Sequence, residues 1–567
     1  MNRKRAVILN TAIIFGFFAV FFRLVDLMVI NHSMFLERAK AQHMTSTEIQ
    51  VKRGYIFDRR GREFAVNLEL ESFYCHPEET AIDVKRLKKL SKILSMKPNV
   101  VKARFNPDKK FQWINRKLTP ETAQKVRKLE LAGCGFVPEA KRVYPKGKLA
   151  SHIIGAVGLD NQALEGIELK YNKYLGASGG KAFFSRDASG RMLSSGMTLE
   201  SKGNNVILTI DEGLQYIVER ELDKAMLRTR ARAASAIMMD PMTGEIFALA
   251  NRPTYDPNMI GRASKHRIRN RVITDIYEPG STFKAIIAAA ALEERLFTLH
   301  TRFDCTEGSI VVGGKTIHDS HKQDEIISFK EVIQKSSNVG SVMIGLKLGK
   351  ERIYSYVKRF GFGFKTGIDL PGEVSGWIRK PEDWSGVSIG AISIGQEIAA
   401  TPLQILRAYA AIANGGYLVK PHIMSGITDP YGELLVSFQD TEKEKIISAR
   451  TAMLLRKTLK TVVEEGGTAP DAAIDGNKVA GKTGTAQVID PKTKRYSRDR
   501  FNSSFVGFVP ADNPKFALIV VIYEPKGKTF GGLVAGPVFK DIAEQALSYM
   551  DVPLDYAPDR NLLLVSQ

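Results

Sequence analysis

The chain has 567 residues, 82 Lys and Arg against 61 Asp and Glu, a formal net charge of +21, 44% hydrophobic residues and three cysteines. At about 100 to 200 residues per domain, that length implies about three or four domains, each with enough apolar residues for a core, which excludes the disordered and low-complexity classes. Cys75, Cys134 and Cys305 lie far apart with no C-x-x-C spacing, so the sequence offers neither a zinc ribbon nor a disulfide scaffold. The basic balance suits an anionic neighbour, which could be nucleic acid, an acidic lipid surface or an anionic polymer.

Residues 6–30 read AVILNTAIIFGFFAVFFRLVDLMVI. As a helix this run spans about 37 Å at 1.5 Å per residue, enough to cross a bilayer core. Arg23 and Asp26 fall in its last third, where Arg23 can snorkel to the interface. Arg3, Lys4 and Arg5 precede it, so the positive-inside rule predicts a cytoplasmic N-terminus and an extracytoplasmic remainder. A cleaved signal peptide is the alternative, but the run is longer than a typical signal core and no small-x-small site follows it. With the bulk outside the cytoplasm, a nucleic-acid role for the charge falls away.

From about residue 45 to 200 the sequence is basic and turn-rich. RGYIFDRRGREFAV (53–66) predicts two short strands joined by a turn at Asp58 to Gly61. Val84, Leu87, Leu90 and Leu94 recur at helical spacing among lysines, and Thr119-Pro120 opens a second helix with Ala123, Val126 and Leu129 on its buried face. The basic run Arg86 to Lys92 reads as a solvated face, with contact to an anionic wall polymer or lipid as the second reading. This region holds no cluster of His, Cys or carboxylates and reads as a noncatalytic pedestal.

The texture changes near Gly203. NVILTI (205–210) predicts a strand, DEGLQYIVERELDKAM a helix, and ASAIMMDPMTGEIFALAN (234–251) a hairpin around a Pro-Met-Thr-Gly turn. Strands recur at 477–489, 504–509 and 515–523, and the chain between is mostly helical, with one helix starting at Thr401-Pro402 and stopping at Gly415-Gly416. Strands at both ends and helices between predict an α+β domain, one antiparallel sheet with helices packed around it. Two separate domains are the alternative.

The chemistry concentrates in EPGSTFKAIIAAAALEERL (278–296). Pro279-Gly280 forces a turn, and Ser281 and Lys284, three apart, share a face of the helix that follows. A neutral lysine amine beside a serine hydroxyl can take its proton, which requires that burial or a second cation lower the lysine's pKa. The S-x-x-K pattern also occurs at Ser178/Lys181 and Ser355/Lys358, so what singles out Ser281 is the company that follows in order. QKSSNVG puts Ser336 and Asn338 two apart, as hydroxyl and amide. GKTGTA puts Lys482, Thr483, Gly484 and Thr485 on a predicted strand, where Gly484 admits a substrate backbone and Lys482 with the threonines can hold a carboxylate. A second K-T-G, Lys365 to Gly367, sits between glycines and reads as a loop. His318 and His321 have H-x-x-H spacing without an evident third ligand, and read as a solvated loop rather than a metal site.

Ser281-x-x-Lys284, Ser336-x-Asn338 and Lys482-Thr483-Gly484, in that order, resemble the motif set of penicillin-binding proteins and serine β-lactamases. RNRVITDIYEPGSTFK, QKSSNVG and RGYIFDRRG are similar to the septal class B penicillin-binding proteins of FtsI type, over nearly the whole chain. The segment before Ser281 is similar to their pedestal rather than to the glycosyltransferase of a bifunctional class A enzyme. Glu397, in SIGQE, departs from the pattern, standing where the family often has glycine.

The resemblance implies a membrane anchor (1–30), a dimerisation-like pedestal (31–203), a transpeptidase domain (204–555) and a tail (556–567). It implies a D,D-transpeptidase with Ser281 as nucleophile, Lys284 as base, Ser336 and Asn338 in proton relay and substrate positioning, and Lys482 setting the local field. Thr483 and Thr485 would bind the substrate carboxylate beside Gly484, and backbone N–H groups of Ser281 and Thr485 would form the oxyanion hole. No metal or organic cofactor is implied. The implied partners are peptidoglycan stem peptides, lipid-linked nascent glycan, β-lactams, the membrane, a glycosyltransferase of the SEDS type and other division proteins. The rival readings are an elongation-type class B enzyme, a β-lactam sensor or scaffold without cross-linking activity, and a β-lactamase, which the long pedestal and anchor disfavour.

Overall fold

The computed structural model describes residues 3–35, 44–49, 52–80, 82–176, 180–186, 192–195, 202–439, 443–490, 493 and 495–556. Ser178 and all of the expected tail except Tyr556 lie outside the described residues. The elements used below are, in chain order, α1 (Arg3–Val25), β1 (Ile56–Phe57), β2 (Glu63–Cys75), α2 (Val84–Ile93), β3 (Gln112–Leu118), α3 (Pro120–Arg127), β4 (Cys134–Val143), β5 (Asn205–Leu208), α4 (Glu212–Thr229), β6 (Ala233–Met239), β7 (Ile246–Arg252), α5 (Lys284–Glu293), α6 (Asn338–Leu348), α7 (Pro402–Ala413), α8 (Ala449–Lys460), β8 (Ala480–Ile489), β9 (Tyr496–Val509), β10 (Phe516–Tyr523) and α9 (Gly536–Tyr549).

The chain divides into two compact units, one of Met1–Arg53, Leu70–Ala140 and Gly176–Gly203, the other of Gly54–Glu69, Lys141–Leu175 and Asn204–Gln567. A single cut at residue 203 therefore does not separate them. The segment that looked like pedestal around RGYIF belongs with the second unit because β1 pairs in parallel with β5, Val206 beside Ile56, and antiparallel with the start of β2.

In the first unit, α1 continues as a π-helical turn to Ile30, and Val7–Ile30 is apolar and long enough to cross a membrane. The pedestal core forms where Phe73 and Cys75 of β2 and Ile114 and Leu118 of β3 pack with Leu87 and Leu90 of α2 and Ala123 and Val126 of α3. α3 starts as the sequence predicts, with Thr119 accepting the backbone N–H three residues on, and Asp83 caps α2 in the same way. Val84, counted on the apolar face of α2, is exposed as its first residue.

The second unit is built on a five-stranded antiparallel sheet, β7-β6-β10-β9-β8. β6, β7 and β10 are buried along their whole length, so they read as continuous apolar runs rather than alternating ones. Leu518, Val520 and Ile522 face one side with α4 and α9, while Ile519, Val521 and Tyr523 face the other with α5 and α7. β9 starts eight residues earlier than SFVGFV suggests, because YSRDRFN carries no apolar pattern and is drawn into the sheet by its ladder with β8, Gln487 beside Phe501 and Ile489 beside Tyr496. α5, with its five alanines, is buried from Lys284 to Leu292, as expected of a helix apolar all round. α7 carries the capping box between Thr401 and Gln404.

Candidate active site

The reactive elements meet around the start of α5. Ser281 stands on a 3-10 turn, Gly280–Phe283, just before the α-helix that Lys284 begins, so serine and lysine are one tight turn apart. Gly280 has φ +55°, and a Cβ on it would come 3.2 Å from Thr485 O, so the turn needs glycine both for its backbone and for its approach to β8. The turn is held by Thr282 Oγ1 donating to Pro279 O (2.8 Å), Tyr409 Oη donating to Thr282 O (2.8 Å) and Gly280 N donating to Gly395 O (3.0 Å).

Lys284 is 1% exposed and its Nζ donates to Ser336 O (2.6 Å), Asn338 Oδ1 (2.7 Å) and Ser336 Oγ (3.3 Å). Burial brings its pKa down to about 7, against an opposing pull from Asp319. Ser336 has φ +59°, a left-handed conformation that brings both its carbonyl and its hydroxyl to the amine. Asn338 opens α6 and donates through Nδ2 to His318 O (2.8 Å). The expected lysine, second serine and asparagine are thus joined by hydrogen bonds, with Ser281 on the turn just before Lys284.

Lys482 lies on β8, fully buried, and burial together with the neighbouring Lys284 charge holds its amine well below the ordinary lysine value. Thr483 Oγ1 lies 3.0 Å from Thr468 Oγ1, and Thr485 Oγ1 accepts from Gly531 N (3.0 Å). Gly484 does something the sequence reading did not foresee. A Cβ there would meet Ser504 Oγ at 2.4 Å, Thr282 Cγ2 at 2.9 Å and Pro279 O at 3.1 Å, so its missing side chain lets the Ser281 turn seat against the strand. β8 is the edge of its sheet, and Thr485 O faces the turn. Because N–H and C=O of one antiparallel strand residue point the same way, Thr485 N–H faces the turn as well.

Two contributors, Asp319 and Glu278, escape sequence reasoning, and a third residue, Glu397, gains its reason here. His318, expected in a loop, instead ends a short strand, Lys315–His318, paired with Ser309–Val312, and Asp319 just after it accepts from Ser337 Oγ (2.8 Å), Val339 N (3.1 Å) and Asn338 N, fixing the N-terminus of α6. Glu278 Oε1 accepts from Tyr496 Oη (2.9 Å) and Glu397 N (3.0 Å), tying β9 and the 395–397 loop to the segment that leads into Ser281. Glu397 has φ +56°, which explains why glycine suits this position, and its carboxylate is held by Arg379. The competing motifs go elsewhere. Thr366 of the second K-T-G donates to Glu373 (2.6 Å), and Lys358 lies over the Phe364 ring at 3.4 Å.

Residues 234–544 match the family model for the penicillin binding protein transpeptidase domain, and residues 48–208 match the penicillin-binding protein dimerisation domain. The chain belongs to the class B penicillin-binding proteins. It is 32% identical to the peptidoglycan D,D-transpeptidase FtsI of Escherichia coli K12, over 96% of this chain and 92% of that one. It is 34% identical to stage V sporulation protein D of Bacillus subtilis over 91% and 81%, and 32% identical to the probable peptidoglycan D,D-transpeptidase PbpC of Pseudomonas aeruginosa over 98% and 97%. Among solved structures, penicillin binding protein 3 of Mycobacterium tuberculosis complexed with aztreonam superposes with TM-score 0.70 at 27% identity, covering 91% of this chain and 99% of that one. Penicillin binding protein 2X of Streptococcus thermophilus superposes with TM-score 0.74 at 26% identity, covering 89% and 80%.

In this penicillin-binding protein, Asp319 raises the Lys284 pKa and caps α6 at once. Asp319→Asn is expected to lower stability by about 1 to 2 kcal/mol and to move the pH at which Lys284 becomes neutral downward. Rates of β-lactam acylation across pH check this. The rise with pH should have its midpoint at lower pH in the variant, and an unchanged midpoint contradicts the coupling.

Proposed function

We propose that the chain is a peptidoglycan D,D-transpeptidase that cross-links stem peptides through a serine acyl-enzyme during septal wall synthesis. The observation that carries the reading is the buried Lys284 amine, near neutrality at physiological pH and bonded to both Ser336 and Asn338. Ser281 Oγ attacks the carbonyl between two D-alanines while neutral Lys284 takes its proton. The carbon–nitrogen bond then breaks, the proton passes by way of Ser336 Oγ to the departing D-alanine amine, and the acyl group stays on Ser281. An amine of a neighbouring stem attacks that ester, restores Ser281 and leaves the cross-link.

Backbone N–H groups of Ser281 and Thr485 receive the oxyanion, where one such donor is worth about 2.7 to 4 kcal/mol. Lys482, Thr483 and Thr485 bind the terminal carboxylate, and Asn338 orients the substrate amide. A β-lactam carries the same carboxylate and strained amide into the cleft and traps Ser281. Val7–Ile30 serves as a single-pass anchor with the N-terminus in the cytoplasm, given Lys4 and Arg5 before it. The pedestal and anchor are the surfaces for a SEDS-type glycosyltransferase. The division reading rests on the likeness to FtsI.

The full-length enzyme, incubated with a fluorescent penicillin and mapped by peptide mass spectrometry, is expected to carry a persistent adduct on Ser281 that vanishes in Ser281→Ala. An adduct on another serine, or none, overturns the assignment. Depletion in cells should arrest division; a change in rod width without arrest would instead favour an elongation enzyme.

A further inference from the structure

Two strands meet in a register that one backbone hydrogen bond fixes, and two side-chain contacts run in the same direction. Arg142 Nη1 donates to Asn67 Oδ1 at 3.4 Å, the Tyr74 hydroxyl lies 2.5 Å from where a Cβ on Gly135 would be, and His76 N donates to Gly133 O at 2.7 Å. As the number rises along β2 it falls along β4, so the strands, which pair in one sheet, run antiparallel, and the backbone bond sets 76 beside 133. The same register sets Cys75 directly opposite Cys134.

In an antiparallel ladder, the pair next to a hydrogen-bonded pair is the close type, with Cα atoms about 4.5 Å apart. That separation lies inside the roughly 4.4 to 6.8 Å that disulfides span. The two thiols are near enough that each shifts the other's ionisation, both cysteines are free, and Cys305 is engaged elsewhere, accepting from Ser337 Oγ. Cys75 is fully buried, its Sγ 3.9 Å from Arg104 O, while Cys134 is half-exposed beside Thr80 Oγ1 at 3.9 Å.

We propose that Cys75 and Cys134 form an intramolecular disulfide in the exported protein, stapling together the two ends of the pedestal segment 76–133. The inference rests on the reading that everything after the anchor is extracytoplasmic, where disulfides persist. Cys134 is the attacking group. Its thiol is held below the ordinary value by the neighbouring Cys75 and Thr80, whereas proximity to Cys134 and burial push the Cys75 thiol up. The Cys134 thiolate attacks a sulfur of a disulfide donor, either an oxidised dithiol protein or oxidised glutathione, and one donor thiolate leaves. Cys75 then gives up its proton and attacks the Cys134 sulfur of the mixed disulfide, releasing the second donor thiol. Two protein thiols are oxidised and one donor disulfide is reduced to two thiols.

The staple closes a long loop around α2, β3 and α3, and so restricts the unfolded pedestal. Its formation leaves the Ser281 site untouched, because neither cysteine belongs to it.

The test uses full-length protein expressed with its anchor, extracted under N-ethylmaleimide and digested without reductant. The expected product is a Cys75–Cys134 linked peptide, 2 Da below the sum of the reduced peptides, with only Cys305 alkylated. Reduction should then lower the unfolding temperature by roughly 10 °C, and Cys134→Ser should already sit at the lower value and no longer respond to reductant. Full alkylation of Cys75 and Cys134 in protein that a membrane-impermeant penicillin labels on intact cells overturns the proposal, as does a Cys134→Ser protein that still shows the reductant shift. If no label is taken up from outside, the location has failed instead. Oxidised glutathione added to the purified chain then decides the geometry alone, with the linked peptide supporting it and glutathione retained on Cys134 refuting it.

Discussion

Two lysine amines share one buried cleft, and they cannot both carry charge there. Lys284 and Lys482 come from different parts of the chain, the first on the buried helix α5 and the second on the edge strand β8, and each is almost wholly removed from water. Burial alone disfavours an ammonium, and a second ammonium nearby disfavours it further. Asp319 supplies the opposing field, at a distance, through the terminus of α6. The result is one amine poised near neutrality instead of a pair of ordinary lysines, and that is the state in which Lys284 can accept a proton from a serine.

The rest of the second unit serves that juxtaposition. A five-stranded sheet buried on both faces gives β8 a rigid backing, and the apolar, alanine-rich α5 can sink into the core with Lys284, at its first turn, as its one buried polar side chain. Small residues set the distances. Gly280 and Gly484 let the Ser281 turn touch the strand, and Gly395, whose Cβ would come 2.1 Å from Gly280 O, lets a third segment close over it. Glu278 collects Tyr496 and Glu397 on one carboxylate oxygen and so ties all three segments at the outer end of the cleft.

The sequence made the three motifs legible because each is local: Ser281 and Lys284 share a turn, Ser336 and Asn338 flank a cap, and Lys482 to Thr485 lie along one strand. Order along the chain then identified the family. What was not legible depends on long-range contacts. Asp319 looked like one carboxylate among many in a polar loop, and only the fold brings it to α6. The outer half of β9 carries no apolar alternation, and its pairing with β8 makes it a strand. The discontinuous course of the two compact units was not legible, since β1 joins a parallel partner some 150 residues away, Ile56 to Val206. Cys75 and Cys134 seemed unrelated because spacing along the chain says nothing about register across a sheet.

The most direct test of the account is the titration of Lys284 itself, followed by NMR of the lysine Cε carbon in lysine-labelled protein and assigned by loss of the resonance in Lys284→Arg. The account predicts a midpoint near about 7. A midpoint at the ordinary lysine value of 10.5 would mean that Lys284 stays charged and cannot be the base, and the mechanism built on it would fall.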